Sequence, residues 1–349
     1  MNKRVFVVAT ARQMGTGPLL SVSGFAISLD RAMRATRRQA VGSAFCSTAN
    51  LGAGFDVFGL ALNRYSDTVT ARITSRKKIR IILRGREGHN IPVEVRRNSA
   101  GPPALELAEK AQLKKGLEII VEKRVPQGLG LGSSGATAAA CTKVLDVLLD
   151  LRLSNDELIK VASLGEKAVA GTAHADNVAA SLLGGFTIVY DSPIRTISLK
   201  PPAGLAVVVA TPQLPVQSEK TRKARQIIPD RITVKKAVLN VGRASAMAAA
   251  IAQGNIRMIG TGMNDEIAEP YRRHLVPGYQ DVKRMGLEAG AAGVSISGAG
   301  PSLVALVDRN NHAPLSVAQA MVKAFARNKV RSTSFVARPA HGATIVKES

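Results

Sequence analysis

The chain has 349 residues, of which 46% are hydrophobic, and this length and composition suggest two domains with sizeable cores. Its longest apolar runs, such as residues 205–210, are far shorter than the roughly 20 residues that a membrane-spanning helix needs, so we expect no membrane contact. The formal net charge of +23 makes nucleic-acid binding an obvious alternative, yet only 3% of the residues are aromatic, none is Trp, and no motif interleaves rings with the basic clusters.

The first 32 residues differ from the rest of the chain. They contain one acidic residue, Asp30, and they lack the helical or strand periodicity of later segments. A transit peptide would also be poor in acids. However, Met33 begins a segment with the pattern of a first strand, so we expect translation to start at or near Met33. Residues 1–32 are then a wrongly assigned start or a disordered tail.

Strands come first in the segments that follow. They are predicted over residues 41–49, 68–73, 79–84 and 117–123. After a glycine-rich segment, apolar residues at three- and four-residue spacing predict a helix with one buried face. These residues are Ala138, Cys141, Val144, Leu145, Leu148 and Leu149. A second helix begins with a capping-box pattern, Ser154 to Glu157, and ends at Gly171.

The second half of the chain continues the mixture of strands and helices. Strands are predicted over residues 186–190, 205–210, 294–297, 303–307 and 331–336, and helices over residues 220–227, 234–253, 278–289 and 315–327. Pro193, Pro201 and Pro202 cluster between these sets, so we expect a domain boundary there. The two domains would comprise residues 33–195 and 196–349.

The segment between the fourth strand and the first helix has the composition of a phosphate-binding loop. Its glycines allow consecutive backbone N–H groups to turn towards one anion without Cβ interference. The helix behind it adds unpaired N–H groups and the positive end of its dipole, and two hydroxyls can bind a phosphate or its metal ion. The segment comprises Pro126, Gln127, Gly128, Leu129, Gly130, Leu131, Gly132, Ser133, Ser134, Gly135 and Ala136.

Three other interpretations explain this segment less well. Gly130, Gly132 and Gly135 match the dinucleotide pattern G-x-G-x-x-G, but Pro126 separates the strand from the glycines. The acids at the right distance also fall within a continuing helical pattern. A Walker loop needs Lys followed by Ser or Thr after its last glycine, which this sequence lacks. A plain turn needs one or two glycines and no paired serines.

Pro126 to Ala136 resembles the phosphate loop of the GHMP kinases, a family of small-molecule kinases. Residues 47–62 resemble the amino-terminal signature of the homoserine kinases within that family. Residues 174–177, followed by 184–186, and the glycine-rich residues 297–302 are similar to further family segments. All of these segments stand in the family's order.

The resemblance covers the chain from about Met33 to its end. Phe45 and Ala53 stand where the family pattern has proline, and Gly135 stands where it has alanine. None of these departures removes a group that would carry chemistry. They affect the expected rigidity of the loops more than the expected activity.

The resemblance implies an α+β protein with the two-domain GHMP kinase fold, a ribosomal-protein-like amino-terminal domain that binds ATP and a ferredoxin-like carboxy-terminal domain. It implies ATP- and Mg²⁺-dependent phosphorylation of L-homoserine to O-phospho-L-homoserine on the route to threonine. The alternatives are another small-molecule kinase of the family and a basic, non-catalytic nucleic-acid-binding relative. The partners would be ATP and homoserine, with no nucleic acid and no membrane, and a homodimer is one option.

The whole segment Pro126 to Ala136 is expected to bind ATP. Because the chain lacks the Walker lysine, the metal ion must be held by other oxygen ligands, and Mg²⁺ keeps several waters with one or two protein ligands. By resemblance these ligands are Ser134 and Glu166.

Homoserine carries an ammonium group, a carboxylate and a hydroxyl, so its pocket should offer an acid, a base and amide groups. By resemblance, Asp56 binds the ammonium group, with Asn50 alongside. A bidentate arginine suits the carboxylate best, and the matching positions are Arg225 and Arg272, with Arg273 as an alternative to Arg272.

His174, Asp176 and Asn177 are predicted to lie in a short loop after the second helix, where helix capping would also explain them. In mevalonate-type members of the family, an aspartate of this region resembles the base that takes the acceptor proton. Either Asp176 or Asn177 matches that position. If Asn177 matches, the proton leaves through water or the γ-phosphate, with Thr221 near the hydroxyl. We expect catalytic roles for Asn177, Asp176, Thr221 and Arg225, and substrate binding by His174 and Asn177.

Cys46 and Cys141 have no spacing that suggests a metal site or a disulfide framework, which favours a reducing compartment and a cytoplasmic location. Cys46 adjoins the signature and would be a candidate nucleophile. A small buried residue is the more usual role of a free cysteine without a paired histidine.

Overall fold

The structure is a computed structural model that describes residues 38–170, 175–215 and 220–349. The extension of residues 1–32, the expected start at Met33 and the predicted substrate residue His174 lie outside these ranges. The described strands are β1 (Gln39–Asn50), β2 (Gly54–Thr74), β3 (Ile79–Arg84), β4 (Gly116–Glu122), β5 (Phe186–Val189), β6 (Thr196–Leu199), β7 (Leu205–Pro212), β8 (Gly293–Ile296), β9 (Leu303–Asp308), β10 (Ser332–Ala337) and β11 (Thr344–Glu348).

The described helices lie between these strands along the chain. They are α1 (Gly101–Lys110), α2 (Ser133–Leu148), α3 (Asn155–Ala170), α4 (Asp176–Leu183), α5 (Lys220–Gln226), α6 (Val234–Gln253), α7 (Ile256–Thr261), α8 (Glu269–Arg272), α9 (Tyr279–Glu288) and α10 (Pro314–Arg327). Short 3-10 turns cover Arg86–Gly88, Val95–Arg97 and Arg273–Leu275.

The first sheet has seven strands in the order β11-β1-β2-β4-β3, and β5 and β6 extend it from β2. β3 and β4 are parallel, and the other pairs of this sheet are antiparallel. The register of the β1–β2 hairpin shifts between Phe45 and Cys46, and such a bulge bends the strands that carry it. β2 extends over 21 residues, far beyond the predicted residues 68–73.

Helices α1 to α4 cover one face of this sheet. The predicted stripe of α2 is confirmed, since Ala138, Cys141 and Val144 are fully buried against strand residues such as Val69 and Ile119. The predicted capping box at the start of α3 is also confirmed. Ser154 N donates to Glu157 Oε2 at 2.9 Å, and Glu157 N donates to Ser154 Oγ at 3.4 Å.

The second sheet has the antiparallel order β10-β7-β9-β8. Every residue of β7 is buried because both faces of this strand are covered. Alternate side chains of a strand point to opposite faces. Val207 and Val209 therefore pack with α6 and the first sheet, whereas Ala206 and Val208 pack with α9 and α10.

Segments on both sides of residue 195 contribute to the first sheet. β6 pairs with β5, and β11 returns from the far end of the chain to pair with β1. The domain boundary between residues 195 and 196 stays a prediction.

The prediction of a loop at Asp176 and Asn177 is wrong, because both residues form the first turn of helix α4. Their polar character at the start of the helix is typical of a turn. However, Val178 and Leu182, which follow them in α4, are buried in the core. This packing stabilises a helix that cannot be predicted from the short segment alone.

Candidate active site

The predicted phosphate-binding loop connects β4 to α2, and three of its glycines have left-handed backbone conformations. Gly128, Gly130 and Gly132 have φ values of 69°, 77° and 60°. A Cβ atom on Gly130 would collide with the backbone oxygen of Ser297 and lie 2.9 Å from that of Gly300. Ser133 begins α2, so the loop ends in a helix N-terminus whose first N–H groups have no partner within the helix.

A buried ion pair supports the base of this loop. Lys123 Nζ binds Asp67 Oδ2 and donates to Ser133 O at 2.6 Å and to Thr137 Oγ1 at 2.8 Å. Asp67 Oδ1 accepts the backbone N–H groups of residues 124 and 125, each at 2.9 Å. The Lys123 and Asp67 side chains are only 3% and 0% exposed. This pair is not among the predicted site residues, although a lysine three positions before the loop is a visible signal in the sequence.

One cleft of about 380 Å³ brings most of the predicted site residues together. Its lining includes the loop residues Pro126, Gln127, Gly128, Gly130, Leu131, Gly132, Ser133 and Ser134. It also includes Asn50, Asp56, Glu166, Asp176, Asn177, Thr221 and Arg272. Leu129 and Ala136 instead pack into the core between the sheets.

Glu166 lies on α3 beside the first turn of α2. It is buried, at 7% exposure, and it lines the same cleft as Ser134. A Cβ atom on Gly135 would lie 3.4 Å from Glu166 Oε1 and 3.3 Å from the Asn177 Cβ atom. Glycine at this position, where the family pattern has alanine, therefore leaves more room beside the carboxylate.

The junction of β1 and β2, from Asn50 to Asp56, is strained and polar. Asn50, Leu51 and Asp56 have positive φ values of 71°, 49° and 59°, although none of them is glycine. Asn50 stabilises the turn from both ends of its amide group. Its Oδ1 atom accepts Asp56 N at 3.1 Å, and its Nδ2 atom donates to Gly298 O at 2.8 Å.

Two arginines lie next to this turn. Arg225 Nη1 binds Asp56 Oδ2, so two predicted substrate ligands pair with each other. Arg272 is 5% exposed, and its guanidinium donates to Ala224 O at 2.9 Å and to Gly298 O at 3.2 Å. Burial lowers the pKa of Arg272, while the nearby Asp56 carboxylate raises it. The Phe55 ring lies 5.1 Å from each guanidinium.

The alternative position Arg273 lies on the exposed side of the same segment. Arg272 is therefore the residue of this pair that the fold places in the cleft.

Asp176 and Asn177 face the cleft from the start of α4. Asn177 Oδ1 accepts the Ser47 hydroxyl at 2.9 Å, and Asp176 Oδ1 accepts Asn177 N at 2.7 Å. Thr221 lies on α5, where it lines the cleft and is exposed. The fold thus brings the predicted carboxylate, amide and hydroxyl groups of Asp176, Asn177 and Thr221 to one cleft.

The two cysteines are buried thiols. Burial raises the pKa of Cys46 to about 11 and that of Cys141 to about 12. Cys46 Sγ donates to Leu62 O at 3.3 Å, within the core between the sheets. Such a thiol is a poor nucleophile at neutral pH.

In residues 38–170, 175–215 and 220–349, no group of three or more His, Cys, Asp or Glu side chains could hold a metal ion. Within the same ranges, no helix is both long and apolar enough to cross a bilayer.

Two family models match the chain. The one described as GHMP kinases N terminal domain matches residues 99–185, and the one described as GHMP kinases C terminal matches residues 247–327. The chain is 38% identical over 304 residues to a homoserine kinase of Thermoplasma acidophilum, covering 87% of this chain and 95% of the relative. A homoserine kinase of Haloquadratum walsbyi is 39% identical over 299 residues, covering 86% and 97%.

A solved structure agrees with these relatives. The crystal structure of homoserine kinase from Cytophaga hutchinsonii has a TM-score of 0.81 and 34% sequence identity, and the match covers 89% of this chain and 98% of that one. The two sheets with their helices therefore form the two-domain, mixed α/β GHMP kinase fold that the sequence predicts. The chain belongs to the homoserine kinases of the GHMP kinase family.

Proposed function

We propose that the chain transfers the γ-phosphoryl group of ATP to the hydroxyl of L-homoserine, forming O-phospho-L-homoserine on the route to threonine. One observation carries the proposal: the cleft that contains the glycine-rich loop also contains Asp56 and the buried Arg272, with Arg225 bound to Asp56. A carboxylate beside two guanidinium groups complements an amino acid, whose ammonium and carboxylate groups have opposite charges. The name that the relatives share supports homoserine as this amino acid.

ATP, the co-substrate of this kinase family, would bind with its polyphosphate along Pro126 to Ala136. The left-handed glycines and the start of α2 supply backbone N–H groups, which suit an extended anion. Lys123 is a less suitable phosphate ligand, because Asp67, Ser133 O and Thr137 already accept its three ammonium protons. We infer that the backbone and a metal ion neutralise most of the phosphate charge.

Ser134 and Glu166 fit a Mg²⁺ ion in their donor chemistry. Both offer oxygen atoms, they line one cleft, and the carboxylate lies against the first turn of the helix that carries Ser134. Mg²⁺ prefers oxygen ligands and commonly uses only one or two protein groups beside phosphate and water. When bound, this ion would supply charge stabilisation to the transferring phosphoryl group.

The acceptor would replace the direct contact between Asp56 and Arg225. Its ammonium group would bind Asp56, and its carboxylate would bind Arg225 and Arg272. The Phe55 ring, 5.1 Å from both guanidinium groups, keeps contact with each of them through cation–π attraction. This arrangement would orient the acceptor by both of its charged ends and leave its hydroxyl free to react.

We propose that proton transfer needs no early carboxylate base. The Ser47 hydroxyl donates to Asn177 Oδ1, and Asp176 Oδ1 accepts the backbone N–H of Asn177. Asp176 therefore supports the orientation of its neighbour. In a loose, metaphosphate-like transition state the attacking hydroxyl can lose its proton late, to water or to the phosphate. Asn177, with Thr221 on α5, would then position the hydroxyl.

A coupled assay of ADP formation tests the proposal, with homoserine, mevalonate and shikimate as acceptors. Turnover that homoserine stimulates and the other two do not would support it. Turnover with another acceptor alone would indicate a different small-molecule kinase. Salt-sensitive binding to nucleic acid without turnover would favour a basic, non-catalytic relative instead.

We also propose a homodimer and a cytoplasmic location, and both need direct tests. On α6, Val234, Val238 and Val241 are 80%, 64% and 66% exposed at the spacing of one helix face. A second copy of the chain would cover such an apolar stripe. Light scattering across a concentration series measures the assembly, and cell fractionation measures the location.

A further inference from the structure

We propose that Ser297 is a positioning residue that couples nucleotide binding to acceptor binding. The inference depends on the proposed function, because it concerns how the two ends of that cleft communicate. Ser297 is fully buried and lies at the start of the glycine-rich turn of residues 297–302. Ser297 contacts the phosphate-binding loop, and the next residue, Gly298, contacts residues proposed to bind homoserine.

On the nucleotide side, the Ser297 hydroxyl donates to Gly130 O at 2.6 Å. A carbonyl oxygen can only accept, so the single hydroxyl proton of Ser297 is used in this bond. Thr48, whose Oγ1 lies 2.8 Å from Ser297 Oγ, must therefore be the donor of the second bond. The resulting chain runs in one direction, from Thr48 through Ser297 to the phosphate-binding loop.

The contact between Gly130 and Ser297 is also closely packed. A Cβ atom on Gly130 would collide with the Ser297 backbone oxygen, so the two backbone segments cannot move independently without opening a gap. Because Ser297 has no exposed surface, water does not compete for these bonds.

On the acceptor side, the next carbonyl along the chain binds two predicted substrate ligands. Gly298 O accepts Asn50 Nδ2 at 2.8 Å and Arg272 Nη1 at 3.2 Å. Gly298 N donates to Ala49 O at 3.1 Å, which fixes the same peptide to β1. The groups proposed to bind homoserine and the loop proposed to bind ATP therefore meet at two consecutive residues.

This connection predicts that each substrate orders the segment that the other needs. Homoserine that engages Arg272 restrains Gly298, and through Ser297 it restrains the carbonyl of Gly130. A ligand that restrains one of these linked segments also restrains the other, which gives positive coupling between the two ligands. By reciprocity, ATP must strengthen homoserine binding by the same factor.

Ser297→Ala removes the hydroxyl and leaves the glycine-rich turn otherwise unchanged. The measurement is the Kd of a non-hydrolysable ATP analogue by calorimetry, without and with saturating homoserine, on the full chain. The Kd without homoserine divided by the Kd with homoserine measures the coupling. We expect this ratio to fall about 3- to 10-fold relative to the wild type, the scale of one lost hydrogen bond. The Kd without homoserine should change less than this ratio.

Ser295→Ala is the matched control. Ser295 is two residues away in β8 and equally buried, and its hydroxyl has no hydrogen-bond partner among the described residues. Its removal should leave the ratio unchanged. Thr48→Val, which deletes the donor to Ser297, should lower the ratio in the same direction by a smaller factor. Thermal melting confirms that each variant is folded.

An unchanged ratio in folded Ser297→Ala would overturn the inference, as would equal loss in Ser295→Ala. Wild-type protein that turns over homoserine but shows a ratio of one would also overturn it while leaving the proposed function intact. Wild-type protein without homoserine-dependent turnover would overturn both. A merely structural role of Ser297 predicts a lower melting temperature with the ratio preserved.

Discussion

Lys123 and Asp67 form a buried ion pair beneath the phosphate-binding loop, and this pair joins both ends of the loop to strand β2. Asp67→Asn keeps an oxygen for the backbone N–H groups but turns an amide donor towards the Lys123 ammonium group. Loss of one partner from a buried pair typically costs about 3 to 5 kcal/mol. We expect a loss of this size in urea unfolding and a higher KM for ATP.

The double variant Asp67→Asn with Lys123→Met separates pairing from simple packing. It removes the uncompensated charge, which is the main cost of breaking a buried pair. Stability should therefore recover well above that of the single variant. A double variant less stable than Asp67→Asn alone would show that the ion pair does not support the loop.

Gly132 offers a steric test of the loop. With φ at 60°, alanine would be strained there, and its Cβ atom would collide with Ser47 Oγ and lie 2.6 Å from Asn177 Oδ1. We expect Gly132→Ala to weaken binding of a non-hydrolysable ATP analogue at least tenfold, a shift of about 1.4 kcal/mol. Fluorescence titration measures it.

Gly242→Ala is the corresponding control on α6. A Cβ atom there meets nothing within 4 Å, so alanine should stabilise the helix by about 0.5 to 1 kcal/mol and leave nucleotide affinity alone. Equal nucleotide affinity in both alanine variants would contradict the steric argument.

Helix α6 shows what the sequence predicts well. The prediction of a helix over residues 234–253 agrees with its observed bounds, because both ends are determined locally. Thr233 accepts Lys236 N at its start, and Gly254 adopts a left-handed conformation at its end. By contrast, Asp176 and Asn177 are predicted as a loop but form the first turn of α4, since the buried surface that stabilises this helix comes from distant parts of the chain.

Whether a site residue can be predicted from the sequence depends on the same difference between local and distant interactions. The glycine-rich loop can be predicted because the glycines that allow its backbone conformation lie within one short stretch of the sequence. The pair of Lys123 and Asp67 cannot, because the two residues are 56 positions apart and meet through the register that sets Thr68 opposite Glu122. The contact between Arg225 and Asp56, 169 positions apart, likewise depends on the packing of the whole fold.

The raised pKa of Cys46, about 11, makes a pH-dependent prediction. At pH 8 only about one thiol in a thousand would be ionised, so a thiol reagent should fail to label native protein and should label it in urea. A folded-state pKa above the unfolded value stabilises the fold below the unfolded pKa. This contribution should disappear as the pH rises from about 9 towards 11. Rapid labelling at pH 8 would show that Cys46 is accessible.

Glu166→Gln tests the proposed metal ligand. The change keeps the size of the side chain and removes its charge, so Mg²⁺-dependent turnover should fall roughly 10²-fold or more, the scale of a lost electrostatic group. Glu157→Gln on the same helix makes the same chemical change at an exposed residue, and glutamine preserves the capping box. Wild-type rates for Glu166→Gln at saturating Mg²⁺ would exclude its role.

Arg225→Ala tests the proposed acceptor pocket. Arg225 is bound to Asp56 and is 40% exposed, so its removal should leave the fold stable. We expect the KM for homoserine to rise about 10- to 100-fold, which corresponds to a lost charge-assisted hydrogen bond, while the KM for ATP changes little. Lys223→Ala, an exposed cation on the same helix, controls for the general loss of positive charge. If both variants raise the KM equally, long-range attraction rather than direct binding explains the effect.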